Sequence, residues 1–269
     1  MKSQWECLLQ NLGIWEGSFT NFSPEGTLVK DTPSRLFLEG LNNNQTVRLT
    51  LSRSGRDDLV LEFSSLGQSV LFFENGSFSE GLIQLGPFSE FGAELAFVHE
   101  NRRLRLVQLF DKNGQLNGLT LIREHLAGTQ TAERPPLQID DLLGEWLGEA
   151  VTIYRDLRSP DIYSTTLKIQ LDDTGRLIQS TSFGERKITS TATVKGSIVL
   201  FDQDPQNQIQ VLLLPDGASA TSPLKVQLRQ PLFLEAGWLI QPNLRQRMIR
   251  SYNEKGEWVS LTLVTEEKV

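Results

Sequence analysis

The chain is 269 residues long, 39% hydrophobic, 22% charged and 8% aromatic, an ordinary globular composition that excludes a wholly disordered or fibrous protein. With 26 Lys and Arg against 33 Asp and Glu it carries a net charge of −7, which sets it against phosphate backbones, so nucleic acid is not an expected partner. The single cysteine, Cys7, excludes an intramolecular disulfide, and no apolar stretch approaches the roughly 18 residues of a membrane span.

The N-terminus lacks the apolar core of a secretory signal, so a cytoplasmic protein without membrane insertion is expected. Trp5, Leu8, Leu9 and Leu12 then form one apolar stripe at helical spacing, with Gly13 placed to end the helix. After Gly13 the period changes. The segments 34–41, 46–51, 59–63, 70–73, 78–85, 94–99, 104–110 and 116–122 are short, often alternating and rich in β-branched or aromatic residues, so they read as strands in hairpin succession. Residues 127–136, small and polar and closing on Pro135-Pro136, read as a linker. Ile139, Leu142 and Leu143 repeat the helical signal in shorter form before Gly144. Strands follow again at 165–171, 177–181, 188–193, 198–201, 209–214, 225–228, 238–241, 247–252 and 257–264.

Laid against itself, the chain is written twice. Gly13-x-Trp15 falls on Gly144-x-Trp146 at an offset of 131. Near the other end, Asn101-x-Arg103-x-Arg105 falls on Asn243-x-Arg245-x-Arg247, Leu119-Thr120-Leu121 on Leu261-Thr262-Leu263, and Glu124 on Glu266, all at an offset of 142. The difference of 11 places about that many extra residues in loops of the second copy. The expected domains are therefore 1–126, a linker at 127–136, and 137–269, and both halves are acidic. Eight to ten short strands in each half favour all-β, antiparallel up-and-down barrels, each preceded by a short helix, with a sandwich as the alternative.

At these residues the chain resembles the calycin superfamily of lipocalins and fatty-acid-binding proteins. It looks most like a two-domain lipocalin-like family of uncharacterised function from cyanobacteria and plastids, with phycobiliprotein chromophore lyases among the single-barrel relatives. The resemblance implies a barrel-floor motif of Gly13, Trp15 and Arg123 in the first copy and of Gly144 and Trp146 in the second. There Thr265 stands at the aligned position of the arginine and Arg250 is its candidate substitute. It also implies an interior cup for one small hydrophobic or amphipathic ligand.

Arg103 and Arg105 share one strand face, as do Arg245 and Arg247. On an interior face they would anchor a carboxylate; at a solvated strand end they would be ordinary surface residues. Trp238 is a further candidate for stacking on a conjugated ligand, with core packing as its other reading. Six phenylalanines between Phe72 and Phe97 suit an aromatic-lined pocket or a plain core. The two histidines, His99 and His125, have no ligand spacing, and no nucleophile motif occurs, so neither a metal site nor catalytic residues are assigned. Cys7 reads as a buried thiol. No cofactor is assigned, a tetrapyrrole or lipid being the only bound group considered. Three functions follow: a binding protein for a fatty acid, linear tetrapyrrole or carotenoid-derived molecule; a bilin lyase or chromophore chaperone; and a module with filled barrels that serves a protein partner.

Overall fold

The computed structural model describes residues 2–129 and 131–269; Met1, and Gln130 of the expected linker, lie outside the described residues. The first half comprises α1 (Gln4–Leu8), a 3-10 turn (Leu9–Asn11), β1 (Gly13–Phe22), β2 (Leu28–Leu41), β3 (Thr46–Arg53), β4 (Leu59–Phe63), β5 (Val70–Phe72), β6 (Phe78–Gly81), β7 (Phe91–His99), β8 (Arg102–Phe110) and β9 (Leu116–Leu126). The second begins with α2 (Ile139–Leu142), β10 (Gly144–Ile153), β11 (Asp161–Leu171), β12 (Leu177–Phe183), β13 (Arg186–Lys195) and β14 (Ile198–Phe201). It continues with β15 (Ile209–Leu213), β16 (Ala218–Pro223), β17 (Leu232–Gln241), β18 (Leu244–Tyr252) and β19 (Trp258–Lys268).

Ser3 starts α1 through a capping box, accepting from the Glu6 backbone N–H while Glu6 accepts from the Ser3 N–H. Gly13 is not the helix cap, because Leu12 is already extended and the glycine opens β1. Its φ of +139°, and the +119° of Gly144, are values that a side chain disfavours, which gives the Gly-x-Trp motif a backbone reason.

β10 to β19 form a closed antiparallel barrel of ten strands. The first half is a nine-stranded curled sheet, ordered β4-β3-β2-β1-β9-β8-β7-β6-β5, with an open seam between β4 and β5. Register explains the difference. Through successive strand pairs Leu61 corresponds to Ser190, an offset of 129, and Val70 to Val211, an offset of 141, so twelve residues are added between them in the second copy. They contain β14, which pairs with β13 and β15 and completes the ring. The extra length expected in loops is therefore a closing strand.

The two units stand back to back. Leu95, Phe97, Leu104 and Leu106 of the first pack in one apolar core with Leu234, Trp238, Met248 and Leu261 of the second. Call the end of each unit that carries α1 or α2 its floor and the opposite end its mouth. At the mouths the Leu85 N–H donates to Gly256 O and the Val226 N–H to Gly114 O, both at 2.8 Å. At the floors Arg102 pairs with the buried Asp216, which also accepts the Arg134 N–H at 2.8 Å. Both mouths thus open on the same side of the molecule. Among the described residues no helix is long and apolar enough to cross a membrane.

Because the large wall is shared, Trp238→Ala removes a fully buried ring from both units at once. The unfolding free energy is expected to fall by about 3–5 kcal/mol, measured by denaturant titration with circular dichroism.

Candidate functional site

β8 and β18 alternate with a period of two, so one face of each joins the shared core and the other looks into its own unit. On the interior face of the first, Arg103 Nε donates to Glu124 Oε2 at 2.8 Å. Arg105 grips both oxygens of Glu124 at 3.0 Å and donates to Glu94 at 2.9 Å. In the second, Arg247 donates to both oxygens of Glu266 at 3.0 and 3.1 Å and to Glu235 at 3.4 Å. Each of these two clusters therefore joins two arginines to two glutamates and is formally neutral.

The arginines are interior rather than at a solvated strand end, and three of the four are committed to carboxylates within the protein. Arg245 is the exception. Its carboxylate contact is a 3.4 Å approach to Glu266, and among the described residues it donates no hydrogen bond, although only 5% of the residue is exposed. Its counterpart Arg103 also donates to Asn11 Oδ1 at 3.3 Å and lies 4.5 Å from the Trp15 ring centroid. In the second copy the position of Asn11 is taken by Leu142, which offers no side-chain acceptor. The Arg245 guanidinium lies instead over Gly237, where a Cβ would come within 3.2 Å of Nη2 and 2.4 Å of Ser219 Oγ. Ser219 Oγ is itself buried without a partner.

Beside this pair is a cavity of about 370 Å³ inside the closed barrel. Leu142 and Leu213 line its floor end, Leu167 and Val211 its walls, Ile188 and Phe233 its mouth, and Glu235, Arg245 and Arg247 one side. Burial lowers the pKa of Arg245 more than the Glu266 charge raises it, whereas for Arg247 the charges of Glu266 and Glu235 outweigh burial and raise it.

Several expectations are corrected. Arg123 does not cross the barrel floor: it points outward to Thr20, Asp31 and Glu133, and Arg103 covers Trp15 instead. Arg250 does not replace it in the second copy, since it stacks 3.4 Å from the Trp258 centroid while Lys268 lies over Trp146. Both motif tryptophans are buried, with Nε1 donating at 2.9 Å to Asn11 O and Leu142 O. Trp238 reaches neither interior; it lies in the shared core against Phe97, with Arg102 over its face. Of the first-half phenylalanines, Phe91 and Phe97 join that core and Phe88 is exposed. Sequence reading missed Glu94 and Glu235. They occupy equivalent positions at an offset of 141, displaced by one residue bulged into the second copy between Leu239 and Gln241, which hid them from an ungapped comparison.

The fold and the paired interiors define a two-unit β-barrel protein with a ligand-sized cavity in one unit. The chain belongs to the DUF3598 family: it is 86% identical to a protein with unknown function from that family in Nostoc punctiforme PCC 73102, covering 100% of both chains with a TM-score of 0.98. Residues 1–129 match the N-terminal domain of unknown function DUF3598, and residues 133–269 match the C-terminal domain of biogenesis factor required for ATP synthase 1. The chain is also similar to the S-type phycobiliprotein lyase from Guillardia theta, at 12% identity over 48% of this chain and 89% of that one, TM-score 0.36. No curated protein matches.

Burial would raise the Glu124 carboxyl, but the charges of Arg103 and Arg105 outweigh it and hold its pKa at about 2. Against an unfolded value of about 4.3, this stabilisation is complete above that value and is lost as pH falls towards about 2. Unfolding free energy should therefore fall across that window. Glu124→Gln, which leaves Arg103 without a carboxylate and Arg105 with Glu94 alone, should flatten this part of the profile and cost about 3–5 kcal/mol at pH 7.

Proposed function

We propose that the chain is a carrier of one small amphipathic anion, with the ligand in the unit formed by 137–269 and the unit formed by 1–126 acting as its buttress. The observation that carries this reading is Arg245: a buried guanidinium at the side of an apolar cavity, donating no hydrogen bond among the described residues. A carboxylate there would supply the missing acceptors, and the hydrocarbon part would lie against Leu167 and Val211.

Volume orders the ligand classes. At roughly 30 Å³ per water-sized group, 370 Å³ holds about a dozen non-hydrogen atoms. A medium-chain fatty acid fits whole, while a linear tetrapyrrole or carotenoid-derived molecule would stand out through the mouth. Decanoate should bind in isothermal titration with the wild type and at least about tenfold more weakly with Arg245→Leu. Decanol, which lacks the charge, should be affected far less. Equal decanoate affinity in the variant overturns the anchor. An absorbance change with phycocyanobilin followed by transfer to an apo-phycobiliprotein would instead support lyase-like activity.

A second reading rests on the family match of residues 133–269, whose description names a biogenesis factor required for ATP synthase. On it, the chain holds an ATP synthase subunit during assembly. Native mass spectrometry with separate ATP synthase subunits tests this, a one-to-one complex being expected.

A further inference from the structure

We propose that the common mouth face docks on a neutral, zwitterionic lipid surface, so that cargo enters the closed barrel from lipid. This rests on the carrier reading of that barrel. Two loop tips carry large apolar residues outward: Phe88, 89% exposed between β6 and β7, and Leu157, 64% exposed between β10 and β11. Both have backbone φ in the left-handed region, +58° and +57°, which bulky side chains disfavour. The fold thus tolerates strain at two separate tips, and neither side chain gains burial within the chain.

Leu28, Val29 and Ile162 are exposed at the same end, and Ile188, 55% exposed, lies at once on this rim and on the cavity wall. These side chains stand singly around two openings. That arrangement suits a deformable surface entered by separate apolar tips better than a shape-matched protein. Charge selects the kind of surface. The mouth turns carry both signs side by side, as Asp111-Lys112, Asp156 with Arg158 and Glu254-Lys255. The short runs of one sign, Asp57-Asp58 and Arg186-Lys187, offset each other, so the face has no net pull towards an anionic bilayer and presents both charges to headgroups that carry both.

The full chain is tested by flotation with phosphatidylcholine vesicles. The wild type should float with them, with less than about a twofold change between low and high salt. The double variant Phe88→Asp/Leu157→Asp should lower the vesicle-bound fraction at least about tenfold, while decanoate affinity in solution stays unchanged. Since both residues are exposed, the circular dichroism spectrum should also be unchanged. A wild type that stays in the soluble fraction, a variant that floats equally well, or binding confined to anionic vesicles and abolished by salt overturns the proposal. So does a mouth face covered by a second protein chain in native mass spectrometry. Flotation without decanoate binding would remove the carrier reading alone; decanoate binding without flotation would remove the docking face alone.

Discussion

The two-residue period of β8 and β18 is the constraint on which the molecule turns. Along β8, Arg103 and Arg105 alternate with Leu104 and Leu106; along β18, Arg245 and Arg247 alternate with Gln246 and Met248. One face must meet carboxylates and the other a wall that is apolar apart from Arg250, which donates to Ser79 Oγ and to the Gly81 and Leu82 carbonyls of the first unit. A slip of one residue would press these four arginines among the apolar side chains of the wall, away from the oxygens that Arg250 reaches there, and turn leucines towards Glu124, two errors that both carry large desolvation costs. The charged clusters thereby fix register, whether or not they add net stability, and the register in turn gives each unit an apolar outer face that only its neighbour covers.

From that common plan the copies diverge at two places. Insertion of β14 closes one ring and leaves the other open, and ten strands enclose more width than side chains alone fill. Exchange of Asn11 for Leu142 at the floor removes the acceptor that holds Arg103 in the first copy. Neither change alters the cluster's formal charge. Together they leave a room with one cation at its side that approaches Glu266 at 3.4 Å but donates no hydrogen bond among the described residues.

Much of this was legible in the sequence. The duplication, the all-β class, the short helices and the shared strand face of each arginine pair follow from spacing, because a repeated motif and a period of two survive without an alignment; that this face is interior does not follow from it. β16 was missed: Ala218-Ser219-Ala220-Thr221-Ser222-Pro223 has little β-branched content, and it is a strand because small side chains fit between the second cavity and the shared wall. The sequence pattern predicts a strand over 225–228, yet the segment lies outside the ladders apart from a bridge between Lys225 and Gln115 of the other unit. Trp238 and Arg123 were misplaced for a related reason. Periodicity shows which residues share a face, but a barrel with a neighbour has two buried faces, and only packing between units distinguishes them.

The open seam between β4 and β5 gives the two units different mechanics. In the closed barrel every change of girth must stretch or break a continuous ladder, so its diameter is set as firmly as that of a hoop. The first sheet is a split ring, whose edges β4 and β5 have no ladder between them. Welded along their backs, the two set a continuous hoop against a split one, so a change of girth that would break ladder bonds in the unit with the cavity breaks none at the seam of the other.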